Sequence, residues 1–232
     1  MGQSVDKILA WLKKNEQNHN VQFEWLWVND GSLDNTHMEL ERHTLRLPNS
    51  RVLSYSVNRG KGFACRMGML DEASTPDFIF FTDADLAIPL DHLLDSMQIS
   101  RAQNDSVDVF LGNREPGQNA IHENFLRNIM SVVFRQWVLF RVSLPFSDSQ
   151  CGFKGFRRET ARRIFAPLRR VGFTFDVELL MRIQLMGYKA VEVPVGCDNK
   201  GLSSVRIFRD SFKMLVELER LRKERKALAK NF

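Results

Sequence analysis

Asp83 and Asp85 are the residues with the clearest chemical potential. They follow the apolar run Phe78-Ile79-Phe80-Phe81, which is short, aromatic and bounded by turn signals, the pattern of a buried strand. Strand side chains alternate, so carboxylates one residue apart point the same way if the extended backbone continues. In an open α/β sheet the carboxyl ends of the strands are where ligands bind. Two hard oxygen donors there suit Mg2+ or Mn2+ carrying a diphosphate, because such an ion takes one or two carboxylates together with substrate phosphates. A solvated turn with an Asp helix cap ahead of Pro89 explains the same pair without chemistry, and for an isolated Asp-x-Asp it is the commoner outcome.

Other candidates stand at similar places. Phe23 to Val28 reads as a strand running into Asn29-Asp30-Gly31-Ser32, which puts Asp30 at a strand's carboxyl end, where a turn-capping aspartate is the plain reading. Arg51 to Val57 reads as a strand, followed by Asn58-Arg59-Gly60-Lys61-Gly62 and a helix from Phe63 to about Ala73. Small residues let a backbone approach a phosphate, a helix N-terminus favours an anion, and Lys61 adds a point charge. The spacing is not a Walker loop, and a tight turn accounts for it equally. Val107 to Leu111 is a further strand ending in Gly112-Asn113-Arg114. Asp148 to Lys154 is polar and contains Gly152, and Asp176 and Glu178 fall in the first turn of a helix running to about Met186, where the helix dipole alone favours carboxylates.

The elements that must position these residues alternate along the chain. Ser4 to Asn15 reads as a helix with an apolar face of Ile8, Leu9, Trp11 and Leu12; Asp91 to Gln103 is a helix and Ala190 to Val195 a last strand. Without repeats or low-complexity linkers, this pattern predicts one doubly wound α/β domain. Asn124 to Arg141 is apolar almost all round, which fits a helix packed on the sheet or an interfacial helix whose arginines meet lipid headgroups. Ser211 to Lys230 has an apolar stripe of Phe212, Leu215, Leu218 and Leu221 and a basic end. The predicted division is a catalytic domain over 1–207 and a basic amphipathic helix over 208–232.

Composition limits the partners. The chain has 232 residues, enough for one well-buried domain, and a net charge of +5. That mild excess suits anionic substrates or a membrane surface, and no nucleic-acid motif accompanies it. Cys65, Cys151 and Cys197 are widely spaced and form no metal or disulfide framework, so reduced thiols and a cytoplasmic setting are expected. There is neither an N-terminal signal core nor an apolar stretch long enough to span a bilayer.

Taken together, Val28-Asn29-Asp30-Gly31-Ser32, Asn58-Arg59-Gly60-Lys61-Gly62, Thr82-Asp83-Ala84-Asp85-Leu86 with Pro89, Gly112-Asn113-Arg114, Asp148-Ser149-Gln150-Cys151-Gly152-Phe153-Lys154 and Phe175-Asp176-Val177-Glu178-Leu179-Leu180 resemble, in order and spacing, the family 2 glycosyltransferases. The resemblance is strongest to the dolichyl-phosphate β-glucosyltransferase and polyprenyl-phosphate branch. It implies a GT-A fold, a mainly parallel mixed sheet flanked by helices. It also implies inverting transfer of a hexose, glucose first, from a nucleotide sugar of the UDP-glucose or GDP-mannose type to polyprenyl phosphate at a membrane surface. On that resemblance Asp30 and Asp83 contact the nucleoside, and Asp85, with Asp83, holds the Mg2+ or Mn2+. Arg114 and a cation of the Lys200 to Arg206 loop, Arg206 foremost, neutralise phosphates, beside Lys61. Gln150, Gly152 and Lys154 border the sugar and acceptor, and Asp176 stands where inverting relatives place a carboxylate base. A lipid phosphate is already ionised at neutral pH and needs little base catalysis, so Asp176 then orients rather than deprotonates.

The family's first strand, ending in Pro-x-Tyr-Asn-Glu, and the membrane anchor of some relatives have no counterpart here, so an N-terminally truncated sheet is expected. Two other readings follow: transfer to a soluble or polysaccharide acceptor, and a non-catalytic remnant acting as an interaction module.

Overall fold

Helix α1 (Gly2–Lys14) forms because Val5, Ile8 and Trp11 recur every three residues and bury one stripe, while Lys13 and Lys14 sit in the last turn, where the dipole favours cations. This computed structural model describes residues 2–15, 21–114, 140–172, 174–196 and 216–225. After α1 come β1 (Trp25–Asp30), α2 (Thr36–Thr44), β2 (Ser50–Tyr55), α3 (Lys61–Met69), β3 (Phe78–Phe81) and α4 (Asp91–Ala102). The second half supplies β4 (Val109–Arg114), β5 (Lys154–Arg157), α5 (Arg158–Phe165), α6 (Phe175–Leu185) and β6 (Ala190–Val195), and a helix over 216–225, α7.

The expected mixed α/β sheet flanked by helices is present, divided into two pieces. β1 and β2 pair in parallel, from Trp25 opposite Ser50 to Asp30 opposite Tyr55. The other piece has the order β3-β5-β4-β6. There β5 is antiparallel to both neighbours, and β4 runs parallel to β6 from Val109 opposite Ala190 to Arg114 opposite Val195.

Three cores hold the layers. Val5, Ile8 and Trp11 of α1 pack with Trp27, Leu40, Leu47, Leu86 and Leu90. Phe110, Phe153 and Val193 fill one face of the four-stranded piece. Phe156, Ile164, Phe165, Phe175, Leu179 and Leu180 fill the other, joined by Leu218 and Leu221 of α7. Leu218 and Leu221 of the C-terminal segment pack in this core, and Arg225 donates to the Val142 carbonyl.

Several elements depart from the sequence reading. Gly112-Asn113-Arg114 lies inside β4, not after it, because its backbone continues the ladder to Pro194 and Val195. Helix α2 has one buried residue, Leu40, too little apolar periodicity to announce it. Strand β5, Lys-Gly-Phe-Arg, carries glycine and two charges, and only its place between two partners makes it a strand. Most of the apolar segment Asn124 to Arg141, and Arg206, lie outside the described residues.

Candidate functional site

β1 and β3 end at the same edge, and the α3 N-terminus stands between their ends. Asp30 accepts hydrogen bonds from the backbone N–H of Arg59 and Gly60, both at 2.8 Å, so it fixes the turn that starts α3. Burial and the neighbouring Asp30 carboxylate raise the Tyr55 phenol well above its ordinary pKa.

The glycines of that turn serve packing. Gly60 has φ +96°, a conformation L residues rarely adopt, and a Cβ on it would lie 2.7 Å from the Val171 carbonyl oxygen. A Cβ on Gly62 would meet Phe175 Cβ at 2.6 Å, while its N–H donates to Val171 O at 2.8 Å. Close approach of α3 to the start of α6, more than an open phosphate cradle, explains both residues.

Asp83 and Asp85 part company. Strand β3 stops at Phe81, and a turn closed by Leu86 N–H donating to Asp83 O follows, with Leu86 at φ +50°. The alternation that would align the two carboxylates therefore ends before them. Asp83 accepts from Lys61 Nζ at 2.6 Å. Asp85 is exposed, its Oδ1 accepting from Ala87 N–H at 3.1 Å. Burial pulls the Lys61 ammonium down, but the Asp83 and Asp176 carboxylates outweigh it and hold the group above its ordinary value.

Behind Asp83 lies a second ion pair. Lys154 is fully buried; its Nζ donates to Asp176 Oδ1 and to the Cys151 carbonyl, each at 2.7 Å, and sits 5.6 Å from the centre of the Phe81 ring. Burial raises the Asp176 carboxyl, opposed by Lys154 and Lys61. A side chain on Gly152 would collide with the Asp83 carboxylate, so the bare backbone of Gly152 is what lets Asp83 lie over this layer. Two carboxylates and two ammonium groups thus alternate through one wall, and the Cys65 thiol beside them is pushed up to about 12 by burial.

The remaining expected residues flank this wall. Arg114 forms a two-point ion pair with buried Asp148, Nε to Oδ2 at 2.7 Å and NH2 to Oδ1 at 3.1 Å. Asp148 Oδ1 also accepts from the backbone N–H of Gln150. Glu192 holds the same segment through the Ser147 hydroxyl at 2.7 Å.

Glu178 plays a part that its position in the first helical turn does not reveal. It is 1 % exposed and accepts from the backbone N–H groups of Arg169 and Arg170 and from Arg182, whose own guanidinium reaches Pro167 O. The loop that seats Gly60 and Gly62 is hung on this carboxylate. Arg170 continues to Glu224 of α7 at 2.9 Å. The i,i+4 spacing of Glu178 and Arg182 is the one local signal of this arrangement.

Among the described residues no group of three or more His, Cys, Asp or Glu side chains gathers as for a metal. A divalent ion that carries a diphosphate needs only one or two carboxylates. Exposed Asp85, at a sheet's carboxyl edge near Asp83 and Lys61, meets that requirement as one such carboxylate.

The chain is similar to known proteins over most of its length. The sequence profile described as Glycosyl transferase family 2 matches residues 3–165. A dolichyl-phosphate beta-glucosyltransferase of Dictyostelium discoideum is 30% identical over 227 residues, 94% of this chain and 68% of its own. The enzyme of the same description from Saccharomyces cerevisiae is 30% identical over 221 residues, 88% of this chain and 65% of its own. The chain thus spans about two thirds of the length of these relatives. Glucosyl-3-phosphoglycerate synthase from Mycobacterium tuberculosis in complex with uridine diphosphate superposes with a TM-score of 0.61 at 14% identity, over 95% of this chain and 76% of that one. Its complex with Mn2+, UDP-glucose and phosphoglyceric acid gives 0.60 at 14% identity, over 95% and 75%. At such identity the likeness is one of fold, a Rossmann-like sheet flanked by helices.

Proposed function

The chain belongs to glycosyl transferase family 2, and from that premise we propose that it moves a hexose from a nucleoside-diphosphate sugar to an acceptor that carries a phosphate, with inversion. The observation that carries the proposal is the wall of Asp83, Lys61, Asp176 and Lys154 at the sheet's carboxyl edge, with Asp85 exposed beside it. On this reading Lys61 and Asp85 face the diphosphate, and Asp83 keeps Lys61 turned toward it. Asp176 presents the oxygen not taken by Lys154 to the sugar or acceptor. Arg114, fixed in direction by Asp148, borders the acceptor phosphate, with Gln150 and Gly152 lining the approach. Mg2+ or Mn2+ held by Asp85 and Asp83 would offset the negative charge on the departing diphosphate. The mycobacterial fold relative solved with Mn2+ supports this choice of ion.

The relatives' descriptions favour a polyprenyl phosphate such as dolichyl phosphate as acceptor, and UDP-glucose as donor. No helix among the described residues is long and apolar enough to cross a membrane. A soluble acceptor is the second reading, supported by the phosphoglyceric acid complex of the fold relative.

The test is turnover of UDP-glucose and GDP-mannose, with Mn2+, against a short-chain polyprenyl phosphate and against 3-phosphoglycerate. Glucosyl transfer to the polyprenyl phosphate alone supports the lipid reading, and transfer to phosphoglycerate alone supports the soluble one. Binding of UDP by calorimetry without turnover of either acceptor would favour a non-catalytic module.

A further inference from the structure

Glu178 has no route to a substrate: it is 1% exposed and both its oxygens are engaged. Oε2 accepts from the backbone N–H of Arg169 at 3.2 Å and of Arg170 at 2.9 Å. Oε1 accepts from Arg182, Nε at 3.0 Å and NH2 at 2.8 Å. What Glu178 does for the site it must therefore do through other residues.

The loop it holds lies against the start of α3. The amides of Arg169 and Arg170 turn toward Glu178, and the carbonyls of Arg170 and Val171 turn toward α3. Val171 O accepts from Gly62 N–H at 2.8 Å. A Cβ on Gly62 would stand 2.8 Å from Arg170 O, and one on Gly60 2.7 Å from Val171 O. Both chain neighbours of Lys61 thus rest on the same two loop residues. The outer side of the loop is open, with Val171 and Gly172 exposed and nothing within 4 Å of a Cβ on Gly172. Its place is set from within. Buried N–H groups that lose their acceptor carry the full cost of desolvation, so a carboxylate that takes two of them fixes the backbone firmly.

The same turn has little else to give a ligand. The amides of Arg59 and Gly60 are taken by Asp30, that of Gly62 by Val171 and that of Phe63 by Gly60. Lys61 meets a phosphate through its ammonium, which is 2.6 Å from Asp83 on a side chain one third exposed. The direction of that side chain depends on where Gly60 and Gly62 lie.

We propose that Glu178 is a positioning residue for donor binding. It fixes the backbone of Arg169 and Arg170, that backbone fixes Gly60 and Gly62, and the turn so held aims the Lys61 ammonium at the diphosphate. The proposal rests on the reading above that Lys61 faces the diphosphate. Asp176, two residues earlier on α6, faces the wall of charges itself, so one helix end serves the site twice, once directly and once through a loop.

The test is calorimetry with UDP and with GDP, in the presence of Mn2+, well below the Tm of each variant. Glu178→Gln keeps the shape and exchanges one acceptor oxygen for an NH2 group, which cannot accept from the loop or from Arg182. Lys61→Met should weaken nucleotide binding about tenfold or more, the usual loss for a charged hydrogen-bond partner. Glu178→Gln should weaken it roughly five-fold in the parent but less than about two-fold in Lys61→Met, because effects that run through one side chain do not add. Amide exchange at Gly62 should quicken in Glu178→Gln, while that at Arg59 and Gly60, held by Asp30, stays slow. A merely structural residue would lower Tm and move neither readout. Unchanged nucleotide binding in Glu178→Gln, equal weakening in both backgrounds, or unchanged exchange at Gly62 would each overturn the proposal. Unchanged binding in Lys61→Met, or no binding of either nucleotide by the parent, would overturn the reading of Lys61 and this proposal with it. Where Glu178→Gln does not fold, Glu178→Asp, which keeps the charge and draws it back by one methylene, carries the same comparison.

Discussion

The ammonium of Lys154 is sealed beneath the Asp176 carboxylate, Nζ 2.7 Å from Oδ1, with the two side chains 0% and 8% exposed. One oxygen of Asp176 is thereby committed to a structural partner, and the direction of the other is fixed by it. A pair this deep tolerates loss of one member badly, since the survivor remains charged and buried; breaking such pairs typically costs about 3–5 kcal/mol.

Lys154→Met and Asp176→Asn should each lower Tm markedly. The double variant Lys154→Met/Asp176→Asn should recover much of that loss, because neither charge is then stranded. Thermal melts of the three proteins check this. Losses that simply add would show that the two residues act separately.

Asp85→Ala should leave Tm unchanged, because the side chain is exposed and its one hydrogen bond within the described residues is to Ala87 N–H. Metal-dependent donor turnover should fall on the order of 10²-fold or more, the usual loss for a contact to a leaving group's charge. Asp83→Ala should lower both turnover and Tm, since Lys61 loses its nearest partner. Melting and turnover measured on the same preparations separate the two aspartates.

Lys61 has its folded pKa raised above the ordinary 10.5 by Asp83 and Asp176 against the pull of burial. Its contribution to stability is therefore fully present below the unfolded pKa and is lost as pH rises through the folded one. The Tm difference between the parent and Lys61→Met should stay constant from neutral pH to about 10 and shrink beyond it. A difference that shrinks already between pH 7 and 9 contradicts this ion pair.

Helix α7 divides its basic residues. Arg220, Arg222 and Lys223 are exposed, whereas Arg225 donates to Val142 O and Gln184. If the surface serves a lipid acceptor, replacing the exposed three by Gln should weaken binding to anionic vesicles, roughly five-fold per residue at low salt. Arg225→Gln should instead lower Tm and spare vesicle binding. Co-sedimentation at low and high salt, beside a melt, checks both.

What the sequence discloses is what is local. The strand ahead of Asp83 is legible from a run of aromatic residues and a turn, and α1 from its three-residue apolar spacing. Lys154 and Asp176 meet across 22 positions, through a strand inserted antiparallel between β3 and β4, and nothing within either segment encodes that encounter. Asp176 and Glu178 look alike in sequence, two carboxylates in one helical turn. One ends against a lysine and the other against the backbone of a loop, because a rotation of about 200° separates positions two apart on a helix. Gly62 reads as room for a ligand and serves as room for Phe175.

The Glu178 anchorage makes the loop from Pro167 to Gly172 a common mooring for two parts of the fold. Its Arg170 side chain pairs with Glu224, and the carbonyl of the next residue, Val171, accepts from the N–H of Gly62, one residue from Lys61. Helix α7 is thus joined to the N-terminus of α3, one residue from Lys61, through one ion pair, two adjacent loop residues and one backbone hydrogen bond. The strand edge that carries Lys61 and helix α7 near Glu224 rest on the same six-residue mooring, although they come from opposite halves of the sequence.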